Sequence, residues 1–463
     1  MGSNTIKENP LGFLPTGKLL AKFAVPSIIS MLVSALYNIV DQYFIGNRVG
    51  ELGNAATNIA FPLSTACVAI SLLFGIGGAS AFNLAMGAGD KKRAARFFTN
   101  GAISAVSLGL ILAVVTSIFL KPMLVFFGSP EGAVFDYAVE YTRITAVGFP
   151  FMIFTVCGGH LVRADGRPAI SMLCNISGAV VNVGLDAIFV WVLNWGMTGA
   201  ALATIIGQIV SASLTAVFYF RPQSFKLERD DFKVEWKAIG RVASLGAAPC
   251  TNQVSMMIVQ IVMNKSLKYY GSLSAYGESV PIACVGIISK VNMLFMSFII
   301  GISQGIQPIA SFNYGAKKYD RVKRALLQGY SVAFILAVLA FVGFQFFPRE
   351  IISIFGEGSE EYFQFSINYF RIFLFFTFLN FLQPLTSNFM TATGKPKKGM
   401  FLALTRQIIF LLPLIVALPI FFGIDGIMYA GPISDFVAAA TSVGFLIYEF
   451  KKPEYKNNTE NMR

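Results

Sequence analysis

Twelve apolar stretches, each long enough to cross a bilayer, follow one another along this chain, and they constrain its fold more than any motif does. About 20 residues of helix, rising 1.5 Å per residue, are needed to cross roughly 30 Å of hydrocarbon. The stretches cover residues 17–45, 55–81, 96–120, 134–160, 169–194 and 197–220, then 238–264, 279–308, 322–347, 362–390, 398–421 and 424–449. A barrel strand crosses in about 9–11 residues, so these lengths predict helices. Composition agrees: of 463 residues 55% are hydrophobic and 13% charged, with 45 Phe, a balance foreign to soluble domains. The expected fold is an all-α membrane protein of twelve transmembrane helices. The start of the chain is polar and punctuated by Pro and Gly, with no A-x-A site, so a cleavable signal peptide is not expected. The five cysteines (Cys67, Cys157, Cys174, Cys250, Cys284) fall inside the apolar stretches without C-x-x-C spacing, which predicts neither disulfides nor a zinc site.

A net charge of +12 raises the question of nucleic acid, but the distribution of the charge answers it. One set of alternate connections holds only Arg48, Lys121, Lys265, Lys268 and Arg349 of the 36 Lys and Arg. Arg143, Lys290, Arg371 and Arg406 lie within the stretches, and all the others crowd the opposite connections and both termini. Basic residues gather on the cytoplasmic side. Both termini are therefore expected in the cytoplasm of a multi-pass plasma (inner) membrane protein, with lipid rather than nucleic acid as the partner of the basic connections.

The second half of the chain repeats the first. At a constant offset of 228, Gly87-Ala88 recurs as Gly315-Ala316, Arg93 and Arg96 as Arg321 and Arg324, Phe127-Gly128 as Phe355-Gly356, and Tyr141 and Arg143 as Tyr369 and Arg371. Gly166-Arg167-Pro168 recurs as Gly394-Lys395-Pro396, and the offset slips by one between Gly196, Gly199 and Gly423, Gly426. Internal duplication is the mark of repeat architectures. Six spans per half is an even number, so the two six-helix bundles are parallel repeats related by an axis along the membrane normal. The expected lobes are 1–220 and 238–463, joined by a cytoplasmic linker at 221–237.

Acids inside a bilayer cost on the order of 2.5–3.5 kcal/mol each and call for a reason. Asp41 lies about 9 Å from the outer end of helix 1, Asp186 about 12 Å from that of helix 5, and Thr204 at about the same depth in helix 6. Asn182 is one helical turn before Asp186 on the same face, as Tyr37 is to Asp41 and Gln208 to Thr204. Asn175 continues the Asn182 face. Asp41, Asn182, Asp186 and Thr204 are therefore candidates for a cation-coupling site, with Tyr37, Asn175 and Gln208 as candidate cavity residues. The competing explanation is hydrogen-bonded helix glue, at about 0.6 kcal/mol per bond. Two carboxylates close together in low dielectric cannot both stay ionised cheaply, so a proton can load and leave there. A hard cation such as Na⁺ among the same oxygens is the alternative, and the residues do not separate the two.

At the matching positions the second half has Phe410 and Leu414, which places the coupling chemistry in the first half. The second half has its own charges: Lys290 in helix 8 and Asp435 in helix 12 lie at equal depth from the outer side, which permits an ion pair. Pro26, about four turns before Asp41, removes a backbone bond and is a candidate hinge. Gly196, Gly199, Ala200, Ala201 and Ala203 give helix 6 a face for close packing. His160, the one histidine, reads as structural. With no Walker A, H-E-x-x-H or G-x-S-x-G pattern, neither an enzyme nor a nucleotide-driven pump is expected, nor any cofactor.

Taken together, these residues resemble the multidrug and toxic compound extrusion (MATE) transporters over essentially the whole chain. The likeness rests on Pro26 with Asp41, on Asn182 with Asp186, and on Gly196-Met-Thr-Gly-Ala-Ala-Leu-Ala-Thr204. Gln307-Pro308 followed by Asn313-Tyr314-Gly315-Ala316 adds to it. The resemblance implies a monomeric antiporter that exports amphipathic, often cationic, drug-like compounds against H⁺ or Na⁺, with its acidic pocket at Asp41, Asn182, Asp186 and Thr204. Other members place acids in helices 7 and 10, where this chain has Asn252 or Gln253 and Asn380. A flippase for lipid-linked oligosaccharides is the competing transport reading. It would require a cationic cavity where this chain has acids.

Overall fold

The computed structural model describes residues 10–127, 132–354 and 359–456; the expected match of Gly128 with Phe355-Gly356 lies outside them. Twelve long helices run through it: α1 (Thr16–Arg48), α2 (Glu51–Gly87), α3 (Lys91–Ile118), α4 (Ala133–Ala164), α5 (Pro168–Val192) and α6 (Gly196–Tyr219). After the linker come α7 (Trp236–Ser272), then α8 (Ser279–Gly315), α9 (Tyr319–Phe346), α10 (Glu360–Ala392), α11 (Pro396–Phe422) and α12 (Ile424–Phe450). Eleven are long and apolar enough to span a membrane by composition. α7 falls short because it carries Asn252, Gln253, Gln260 and Asn264.

Several helices outrun the apolar stretches that announced them. Hydropathy marks only the part of a helix in hydrocarbon, and α2 and α8 continue past it to Gly87 and Gly315. Within the membrane some helices are irregular. α5 turns π-helical at Ala187–Val192, directly after Asp186, and α11 does so at Thr405–Leu411. α10 is broken between Phe373 and Leu382. Pro384, two residues into its second part, has no N–H to extend the ladder backwards. α1 passes through Pro26 as one helix.

The halves meet α1 to α8 and α2 to α7, with α2 also on α8. Glycines make these approaches possible. A Cβ on Gly246 would stand 1.7 Å from the Leu73 carbonyl oxygen, one on Gly77 2.1 Å from that of Val242, and one on Gly87 2.0 Å from that of Phe312. Gly315 faces the Leu84 oxygen at 2.1 Å and Gly305 the Ala24 backbone at 2.7 Å. Gly77 and Gly305, like Gly87 and Gly315, are 228 residues apart, so the duplication is visible in the interface itself. Buried polar side chains tie the same end: Arg163 Nη1 donates to Gln304 Oε1 at 2.6 Å, and Gln307 Nε2 to Ser80 Oγ at 2.9 Å. All of these contacts lie between the helix middles and the end that carries the basic connections, where the molecule is shut.

The linker is not a free tether. Asp165 accepts from the backbone N–H of Gln223 and Ser224 at 2.8 and 3.0 Å. On α3, Asn100 donates to the Lys233 carbonyl at 3.2 Å and accepts from the Glu235 N–H at 2.9 Å, and Thr99 donates to the Asp231 carbonyl. The chain up to the first turn of α7 is thus strapped to the first half.

Candidate cation-coupling site

The site is assembled by close helix packing. Gly207 of α6 lies so near α5 that a Cβ there would be 2.7 Å from the Gly178 carbonyl oxygen and 2.9 Å from the Asn182 Cβ. That approach brings Asn182 Nδ2 to 3.5 Å from Thr204 Oγ1, in donating geometry. One turn on, Asp186 is fully buried, and its carboxyl group lies within hydrogen-bonding reach of Asp41 on α1. Tyr141 of α4 reaches Thr204 and stands in the electrostatic field of both acids and of Tyr37.

The pattern of satisfied and unsatisfied atoms defines the chemistry. Both oxygens of Asp186, Oδ1 of Asp41 and Oδ1 of Asn182 are buried and accept no hydrogen bond. Between two ionised carboxylates no hydrogen bond is possible, so the Asp41–Asp186 contact becomes one only when a proton sits between them. Buried acceptor oxygens that no neighbouring N–H or O–H satisfies offer a place for a proton or a cation. Na⁺ fits the same set, since hard cations take carboxylate, amide and hydroxyl oxygens. Among the described residues no group of three or more His, Cys, Asp and Glu could hold a metal ion, so such a cation would depend on Asn182 and Thr204 to complete its shell.

The remaining expected residues separate. Tyr37 joins the cluster from α1. Gln208 packs its Oε1, also without a donor, against Gly148 of α4. Asn175 donates to Ser30 Oγ at 2.8 Å and Ser34 Oγ at 2.9 Å and ties α5 to α1. The Lys290–Asp435 pair does not form: Asp435 accepts from Arg406 Nε, and Lys290 has no ion-pair partner among the described residues. Equal depth proved a poor guide because a long guanidinium side chain reaches along the membrane normal. Breaking a buried pair strands the surviving charge at a cost of about 3–5 kcal/mol. Asp435→Leu is therefore expected to lower the melting midpoint by many degrees, and Asp435→Leu with Arg406→Met to restore most of it. Equal losses in the single and the double variant would argue against the pair.

Two residues escaped the sequence reading. Tyr141 had a signal, since it recurs as Tyr369, but tyrosine in a span also suits the membrane interface. Arg406 was visible as a charge inside a span without a partner.

Two bundles of spanning helices related by internal duplication, packed against each other at one end and with a pair of acids inside one of them, have the build of a membrane transporter. A family model described as MatE matches residues 26–188 and 250–417, and the chain belongs to that family, whose members are transporters and not enzymes. It is 26% identical over 442 residues to the multidrug export protein MepA of Staphylococcus haemolyticus, covering 94% of each chain. To the MepA of a Staphylococcus aureus strain it is 23% identical over 438 residues, 93% of each. A solved structure of the outward-facing conformation of a multidrug resistance MATE family transporter of the MOP superfamily superposes with TM-score 0.87 at 22% identity, over 94% of this chain and 97% of that one.

Proposed function

We propose that this protein is a secondary active exporter of amphipathic, often cationic, drug-like compounds, driven by inward movement of H⁺ or Na⁺ and working as a monomer by alternating access. The coupling cation loads at Asp41 and Asp186, with Asn182, Thr204 and Tyr141 completing the pocket. Pro26 is its hinge, residues 221–237 join the two lobes, and both termini face the cytoplasm of the plasma membrane. The observation that carries this reading is the fully buried carboxyl of Asp186, neither of whose oxygens accepts a hydrogen bond, beside the half-buried Asp41, whose Oδ1 accepts none either. The MepA relatives, named for multidrug export, support the substrate class. So does α7: Gln260 and Asn264 are exposed, and amides on a spanning helix belong against water rather than lipid.

The test is export from proteoliposomes under an imposed gradient. An inward pH gradient without Na⁺ is expected to drive ethidium out if the pair carries a proton, and an Na⁺ gradient at uniform pH if it carries Na⁺. No response to either would end the antiport reading.

A further inference from the structure

At the shut end a cleft of about 340 Å³ opens between α3 of the first half and the first turn of α7. Lys92, Arg93, Arg96 and Lys237 line it, with Asp90 and Glu235 as its acids. Both acids are engaged. Asp90 caps α3 by accepting from the Arg93 N–H at 3.0 Å, and Glu235 pairs with Arg96 at 3.0 Å. Lys92, Arg93 and Lys237 are exposed and, among the described residues, have no ion-pair partner. Arg241, one turn along α7, is near enough for its charge to oppose that of Arg93.

Three features make this an incomplete site rather than a solvated surface. The cations Lys91, Lys92 and Arg93 occupy the first turn of a 28-residue helix, where the helix dipole favours the opposite sign. An anion in the cleft would satisfy the dipole and the side chains together. Beside the cleft, Trp236 is 79% exposed, Val234 56% and Phe232 37%, an apolar collar at a level where tryptophan marks the boundary of water and membrane. Finally, the cleft lies between α3 of the first half and the start of α7, the helix that leads into the second, just beyond the contact of Gly77 with Gly246.

We propose that this cleft binds the phosphate of an anionic lipid headgroup, with the acyl chains lying against Trp236 and Val234, and that occupancy holds the two halves together at this end. Basic pockets at the ends of spanning helices suit such headgroups. The apolar collar favours lipid over free phosphate. This inference needs only that the chain spans a membrane, so it stands or falls separately from the coupling site.

The test uses the full protein in nanodiscs of phosphatidylcholine alone, or with one quarter phosphatidylglycerol, and reads the melting midpoint. Phosphatidylglycerol is expected to raise the midpoint of the wild type by several degrees. The same shift is expected for a control, Lys317→Gln with Lys323→Gln and Arg324→Gln, which removes as many charges from the repeat-related connection. Lys92→Gln with Arg93→Gln and Lys237→Gln is expected to keep the wild-type midpoint in phosphatidylcholine and lose the shift. An unchanged shift in that variant, or no shift in the wild type, overturns the proposal. So does an equal shift from millimolar inorganic phosphate in phosphatidylcholine, which would make this a free-anion site.

Discussion

Replacing Asp186 with Asn is expected to abolish gradient-driven drug efflux, by at least about tenfold, while leaving the fold intact. Asparagine matches the carboxyl in shape but can neither take up nor release a proton, and it offers a cation no charge. Asp186 is fully buried beside the half-buried Asp41, in a place where neither the backbone nor another side chain donates to it. An arrangement of that kind burdens the folded state, because like charges in low dielectric repel and lose their water. Removing one charge should therefore leave the melting midpoint unchanged or raise it. That combination, lost transport with retained or increased stability, separates coupling from glue. If the acids only tied α1 to α5, the introduced asparagine amide could still donate to Asp41, and efflux would survive. Asp41→Asn is expected to behave in the same way. Ethidium or fluoroquinolone accumulation in drug-sensitive cells measures the first effect, and thermal melting of the purified variants the second. Efflux at wild-type level in both variants would remove Asp41 and Asp186 from the mechanism.

Much of this site was legible in the sequence because a spanning helix is a ruler. Rise per residue gave Asp41, Asp186 and Thr204 a common depth, and helical periodicity put Asn182 on the Asp186 face. Neither rule says which helices are neighbours. The resemblance of the motifs to a known family supplied that, and the packing of Gly178 on Gly207 supplies its physical cause. Where the same ruler was applied without that knowledge, to Lys290 and Asp435, it named the wrong partner. Arg406 stands in the second half where Gly178 stands in the first. In one lobe the position admits a neighbouring backbone, and in the other its guanidinium meets Asp435, so the duplicated scaffold carries different chemistry in its two copies. The linker posed another difficulty. Its polar composition announced a connection, but its docking depends on Thr99, Asn100 and Asp165, whose side chains are ordinary until the fold brings Asp231, Lys233 and Gln223 to them. The π-helical turns after Asp186 and around Arg406 left no mark in the hydropathy at all.

Closure of the basic end depends on Gly246, and Gly246→Val is expected to hold the molecule open there and to reduce export by an order of magnitude or more. The atom that the new side chain would meet, the Leu73 carbonyl oxygen at 1.7 Å from the Cβ position, belongs to backbone and cannot rotate away. α2 and α7 must separate instead, and with them Gly77 leaves Val242. Overpacking of this kind costs about 1–3 kcal/mol. Since 1.4 kcal/mol is a factor of ten in an equilibrium, the shut state would lose about five- to 140-fold against the open one. The effect falls on one conformation only, because a state in which these helices stand apart has room for the valine. Gly240→Val, on the same helix where a Cβ meets nothing within 4 Å, is the matched control and should transport normally. Spin labels at two exposed positions, Ala88 on the connection between α2 and α3 and Lys323 near the start of α9, read the change directly. Their separation is expected to lengthen in Gly246→Val and to keep its wild-type distribution in Gly240→Val. Unaltered distances together with full export in Gly246→Val would mean that this interface does not open during transport, and that α2 and α7 move as one body.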